Sequence, residues 1–268
     1  MVPNDRPWKI ALASATGLGH RREGTGCQDR GAAGLLDSPD GEVLVLVACD
    51  GLGSASHSDL AAQITCDNML AGLTAHLERS PADPPIADQV NGWMELAIGD
   101  MAQHALRLAV PASEFACTLL LAVVAQHWSA YAQVGDGAIV LAGSGDAADW
   151  SWVFWPEGGE EYINETACLR PGFPLPALQM KTGENLADEI AVFTDGLQGM
   201  ALHYASQTVH APFFAPLFDP LRAWEGRGVS EALTRSLASL LADGAFDRRS
   251  EDDRTLLLAT RCPPAPAA

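Results

Sequence analysis

Positive charge is scarce in this chain. Over 268 residues, 16 Lys and Arg face 34 Asp and Glu, leaving a formal net charge of −18. A generic nucleic-acid binder needs a basic footprint, and none is visible. The same field is repelled by an anionic membrane surface. Long apolar runs are also missing: none approaches the ~18 residues that span a bilayer. The opening "MVPNDRPWKIALAS" lacks the basic-then-apolar order of a secretory signal. Six cysteines, at 27, 49, 66, 117, 168 and 262, form no CxxC pair, so free thiols in a reducing compartment are expected rather than a disulfide framework. These absences describe a cytoplasmic protein with no nucleic-acid or membrane partner. Nor is there a GxxxxGK[ST] loop, an HExxH helix or a G-x-S-x-G elbow, which removes the commonest nucleotide, zinc and serine-hydrolase chemistries.

What is present is an ample apolar fraction, 48% of residues, with turn signals at intervals. "WKIALASATG" (8–17) and "GEVLVLVACD" (41–50) read as strands. The polar, Gly-rich stretch between them reads as a loop re-entering a short strand. From Ser58 the apolar spacing becomes helical, with Leu60, Ile64, Leu70, Leu73 and Leu77 near one side. A Pro-rich connector (80–88) leads to a second helix, Ile86 to Leu108. Residues 116–143 predict three successive strands, a meander of antiparallel pairs. Residues 150–169 form a hairpin or an irregular flap. A strand at 189–194, helices around 206–223 and 229–242, and a strand at 254–261 complete the chain. Helices in pairs without regular strand–helix alternation argue for antiparallel sheets covered by helices, an α+β fold. One domain over 1–268 is expected, with a core of about 9–261 and a Pro/Ala-rich tail at 262–268.

Acids recur at strand ends. Asp50 ("ACDGLG") and Asp195 ("VFTDGL") each terminate an apolar strand and precede Gly, while Asp252 ("SEDDRTLLL") precedes one. Asp29 ("CQDR") and Asp136 ("QVGDGA") add two more. Singly, each is more often a turn-capping Asp than a ligand. Together they are a set of acids that could share one edge, and several carboxylates do not sit close together ionised without cations between them. Hard divalent ions, Mg²⁺ or Mn²⁺, suit such oxygen donors. His20 and His57 flank the acidic motifs and read as solvated or hydrogen-bonded side chains.

In this order, "CQDR" (27–30), "ACDGLGSA" (48–55), "ACTLLLAVV" (116–124), "QVGDGAIVL" (133–141), "AVFTDGL" (191–197) and "DDRTLLL" (252–258), the chain resembles the metal-dependent Ser/Thr protein phosphatases of the PPM type (protein phosphatase 2C-like). The loop before Asp29 and the "EYINETACL" segment (161–169) are similar to a bacterial branch. The resemblance implies a four-layer α/β/β/α sandwich with two antiparallel sheets flanked by helices. It implies that Asp50 bridges two metals, that the Gly51 carbonyl is a further ligand, and that Asp195 and Asp252 complete the first metal. Asp29 acts towards the second, with Gln28 where the family often has Glu. Asp136 is expected to hold a turn beneath the site, and Glu114 is the nearest acid for a third ion.

Arg21, Arg22 and His20 are the candidates for gripping the phosphate. Asn164 and Glu165, with Glu161, are expected in a flap over the cleft. Asp253 is expected to face away and to tolerate change. The implied activity is hydrolysis of phosphoserine or phosphothreonine on proteins, opposing a Ser/Thr kinase, by a water activated between two ions. The alternative is a catalytically silent PPM-like binding module. A metal-buffering acidic protein is a further rival.

Overall fold

The computed structural model describes residues 6–143, 150–156, 167–184 and 187–263. Among these residues thirteen strands and seven helices follow in order. The first half holds β1 (Lys9–Ala15), α1 (Leu18–Glu23), β2 (Arg30–Ser38), β3 (Gly41–Cys49), α2 (Ser58–Leu77), α3 (Ala87–Leu108), β4 (Leu119–Val124), β5 (Ser129–Val134) and β6 (Ala138–Ala142). The second holds β7 (Trp150–Trp152), β8 (Gln179–Gly183), β9 (Glu189–Phe193), α4 (Gln198–Ala201), β10 (Leu202–His203), β11 (Thr208–Val209), α5 (Ala211–Ala223), β12 (Gly228–Val229), α6 (Glu231–Leu241), α7 (Gly244–Asp247) and β13 (Arg254–Thr260). One sheet runs β12-β1-β13-β9-β6-β7 and a second β2-β3-β4-β5-β8, with β10-β11 a separate ribbon.

β3 shows why the sheets stack. Side chains alternate across a strand, and both faces of this one are apolar. Leu44, Leu46 and Ala48 point to a core shared with Ile139 on β6, Ile190 and Val192 on β9 and Leu257 on β13. Val43, Val45, Val47 and Cys49 point the other way, onto Ile64, Met69 and Leu73 of α2 and Met94 and Met101 of α3. On the far side, Phe193 and Leu256 meet Phe214 and Phe218 of α5 and Leu237 of α6. The result is the expected α/β/β/α layering. Of the helical positions singled out on α2, Ile64, Leu73 and Leu77 are buried, and Leu60 and Leu70 pack at the margin. No helix among the described residues is long and apolar enough to cross a membrane.

Two expectations need correction. The meander breaks after β5: β6 pairs with β9 and β7, not with β5, and so belongs to the other sheet. The chain changes sheets over Gly135–Gly137, where Gly135 adopts φ 98° and so takes a conformation that side chains disfavour. Apolar alternation continues through the crossing, so periodicity alone did not reveal it. The loop after β1 contains α1, and the strand it enters is nine residues long. α1 has no buried residue, and β2 is rich in Gly and Ala; both owe their form to tertiary partners rather than to local pattern.

Candidate active site

Antiparallel register gathers the acids. Arg30 of β2 pairs with Cys49 of β3, so Asp29, just before one strand, lies beside Asp50, just after the other. Leu256 of β13 pairs with Phe193 of β9, which sets Asp252 and Asp253 beside Thr194 and Asp195. Ala138 of β6 pairs with the same Phe193, bringing Asp136 to that end as well. The two sheets thus bring six acids to their strand ends along one seam.

Asp50 sits at the centre. Its backbone N–H donates to Thr118 Oγ1 at 2.9 Å, and its carbonyl accepts from Thr118 N at 2.8 Å, fixing the strand end. Burial first, then the charges of Asp29 and Asp195, a hydrogen bond to Asp195 and the charge of Asp252 hold its carboxyl well above the usual carboxylate range. Asp29 is 2% exposed. Burial pushes it up to about 7; a 2.7 Å hydrogen bond from Thr194 Oγ1 opposes the rise, and the Asp253 charge adds to it. Burial, then the Asp252 charge, pushes Asp195 up to about 6. Asp252 is raised too, mainly by burial. Burial accounts for most of the pattern, and like charges at close quarters in a weakly screening site add to it.

Each of these carboxyls has a folded-state pKa above its ordinary 3.8. Such a group favours the folded state while protonated. The contribution is complete below about pH 3.8 and is lost as pH rises through about 6 for Asp195 and about 7 for Asp29. In EDTA, the thermal midpoint is therefore expected to fall between pH 5 and pH 8. Calorimetry at the two values checks this, and a midpoint that rose over the window would contradict the crowding.

The donor set suits hard divalent cations. It is all oxygen, and the buried Oδ1 atoms of Asp29 and Asp195 and Oε1 of Gln28 meet no hydrogen-bond donor. Among the described residues, no three His, Cys, Asp or Glu side chains already stand close enough to enclose an ion. The acids are a repelling cluster that would have to draw together around cations. Gly51 is cramped: a Cβ there would lie 2.6 Å from the Gln28 carbonyl oxygen, so only Gly lets its backbone approach this seam.

The remaining sequence candidates fall into three groups. His20 Nδ1 lies 2.9 Å from Asp253 Oδ2. Arg21 donates to the Thr16 carbonyl at 2.8 Å and pairs with Asp247, and Arg22 pairs with Glu251 at 2.7 Å. Glu114 accepts from the Ser56 N–H at 2.9 Å, which holds its carboxyl below the usual range and ties it to the loop after Asp50 rather than to the acids. Glu161, Asn164 and Glu165 lie outside the described residues.

Asp253 does not face away. It is 1% exposed, and its two oxygens accept from Gly17 N and Gln28 N, each at 2.6 Å. Thr118, Thr194 and Gln198 were missed as well. Thr194 precedes Asp195 in the same motif, and its hydroxyl also accepts from Thr255 N at 2.9 Å, linking β9, β13 and Asp29. A hydroxyl beside a strand-end acid was the available signal.

The sandwich with its acidic seam goes with sequence likeness to the Ser/Thr protein phosphatases, hydrolases that act on phosphoproteins. A family model described as protein phosphatase 2C matches residues 16–242, and the chain belongs to that family. It is 29% identical over 257 residues to serine/threonine-protein phosphatase 3 of Escherichia coli (strain K12), covering 94% of this chain and 98% of the relative. The serine/threonine phosphatase Stp1 from Staphylococcus aureus shares the fold at TM-score 0.57 and 18% identity, over 94% of each chain. RsbX, solved in complex with magnesium, does so at TM-score 0.54 and 14% identity, over 95% of each chain.

Proposed function

We propose that the seam holds two divalent cations, Mn²⁺ or Mg²⁺, and that the protein uses them to hydrolyse phosphoserine and phosphothreonine on protein substrates, opposing a Ser/Thr kinase. The observation that carries this is the gathering of acids at Asp50, whose carboxyl is displaced upward by burial and then by three other acids from both sheets. A site so unfavourable without cations is explained by a function that supplies them. When bound, the ions would provide an acidified water as nucleophile and neutralise charge on the phosphoryl oxygens.

The chain's own part is positional. Asp50, reached by both sheets, would serve both ions, with Asp195, Asp252 and the Gly51 carbonyl on one and Asp29 on the other. Asp50 and Asp195 would surrender the proton between them as cations enter, so affinity rises with pH. Thr118 and Thr194 keep the ends of β3 and β9 in place while this happens. His20, Arg21 and Arg22 on α1 stand where a phosphate could be met; the two arginines reach it by exchanging Asp247 and Glu251 for phosphate oxygens. Asn164 and Glu165 would act on the substrate from the flap.

Hydrolysis of p-nitrophenyl phosphate should be lost in excess EDTA and restored by Mn²⁺ or Mg²⁺. Turnover that persists in EDTA sinks the two-ion mechanism. Metal binding without hydrolysis under any divalent ion favours the silent binding module, for which Gln28 in place of Glu is the motive.

A further inference from the structure

Three aromatic side chains form a ledge next to the seam. The Trp155 ring meets Trp152 edge-on at 5.6 Å and 68°, and Tyr204 at 5.6 Å and 77°. The ledge is rigidly mounted. Trp150, two residues before Trp152, stacks on Phe214 at 4.9 Å, and the Trp152 indole donates to the Gln207 carbonyl at 2.9 Å, fastening the β10-β11 turn to β7. Even so, Trp152 and Tyr204 stay 37% and 42% exposed.

The ledge also has a polar link to the acids. Tyr204 Oη donates to Gln198 Oε1, and Gln198 Nε2 donates to the Asp136 carbonyl oxygen. Gln198 lies three residues beyond Asp195, in the turn that Asp195 begins.

We propose that this ledge receives a residue flanking the phosphorylated Ser or Thr of the substrate, and that it selects a cationic one, Arg or Lys. The inference rests on the phosphatase reading, since it assigns the ledge a place on that substrate. Aromatic faces are electron-rich and attract guanidinium or ammonium groups. The nearby Asp136 carboxylate adds attraction of the same sign, and the net charge of −18 steers basic peptides to the surface. Rings packed edge-on, two of them hydrogen-bonded, offer this contact with little side-chain entropy left to lose. An apolar flanking residue would gain area but none of the charge terms.

The test uses two fluorescein-labelled phosphoserine peptides that differ only in Arg or Ala beside the phosphoserine. Anisotropy titration of the Mn²⁺-loaded full chain is run on their phosphonate analogues, which cannot be hydrolysed. The wild type should bind the Arg peptide about three- to ten-fold more tightly, the range that a cation–π contact with modest Coulomb help supplies. Tyr204→Leu should bring the ratio below about two-fold, while Tyr204→Phe, which keeps the ring, should retain it. Trp155→Leu provides a second ring deletion if Tyr204→Leu does not fold. Equal binding of the two peptides by the wild type, or a ratio unchanged in both Leu variants, overturns the proposal. The phosphoserine peptides themselves are then assayed for phosphate release. Arg-selective binding without release counts against the phosphatase reading and leaves the ledge standing.

Discussion

Asp50→Asn should lower phosphatase kcat/KM by ~10²–10³ or more, on the scale of removing a principal transition-state stabiliser, while raising the thermal midpoint of the metal-free protein. Both outcomes follow from its central position. Asp50 alone has its carboxyl displaced by Asp29, Asp195 and Asp252 together. An amide keeps the shape and removes the charge. Metal-free, that relieves repulsion; with cations, it deprives both ions of their shared ligand, because amide oxygen bridges metals poorly. Asp195→Asn and Asp252→Asn remove a ligand from one ion each and should be less severe. Phosphate release, titration calorimetry with Mn²⁺ and a thermal scan in EDTA measure the three effects. An Asp252→Asn variant more damaging than Asp50→Asn would mean that the bridging role lies elsewhere.

The second large effect is on stability. Asp253→Asn should destabilise the fold by about 2–3 kcal/mol, since a buried N–H loses its acceptor and a charge-assisted hydrogen bond goes with it. That corresponds to a midpoint lower by about 4–12 °C for a chain of this size. The reason is stereochemical. Oδ1 accepts from Gly17 N and Oδ2 from Gln28 N, each at 2.6 Å, and His20 Nδ1 stands 2.9 Å from Oδ2. An Asn can offer oxygen to only one of these N–H groups and turns its own NH₂ against the other. Either α1 or the segment leading into Asp29 would then lose its anchor, so activity should fall along with stability. A variant that matched the wild type in a thermal scan would refute this account of Asp253.

Asp252 and Asp253 show where sequence reading ends. Two adjacent acids before a strand point to opposite sides, and which one meets the seam depends on the pairing of β13 with β1 and β9. The Asp252 charge reaches Asp195 and raises its carboxyl. The inference that Asp253 must be expendable did not follow, because loops brought in from Gly17 and Gln28 cover the other side. Antiparallel sheets covered by helices were legible because the helices come in pairs without strand–helix alternation, while the four layers came with the family resemblance. α1 was not legible, since its order comes from Arg21 and Arg22 reaching Asp247 and Glu251, more than two hundred residues away. The switch of β6 between sheets was hidden by the same apolar alternation that made the strands visible.

The seam draws its acids from both halves of the sandwich, Asp29 and Asp50 from one sheet and Asp195 and Asp252 from the other. In cation-free solution at neutral pH these groups act as a wedge driven into one end of the molecule. At the opposite end, where Ser38 and Gly41 close the β2–β3 turn, Glu42 is instead paired with Arg227. Breathing should therefore be lopsided. Amide protons at Thr118, Thr194 and Thr255 should exchange with solvent deuterium sooner than those at Val45 or Ile190, and Mn²⁺ should slow the first group far more than the second. Divalent ion supply would then set how long this chain survives proteases as well as how fast it works.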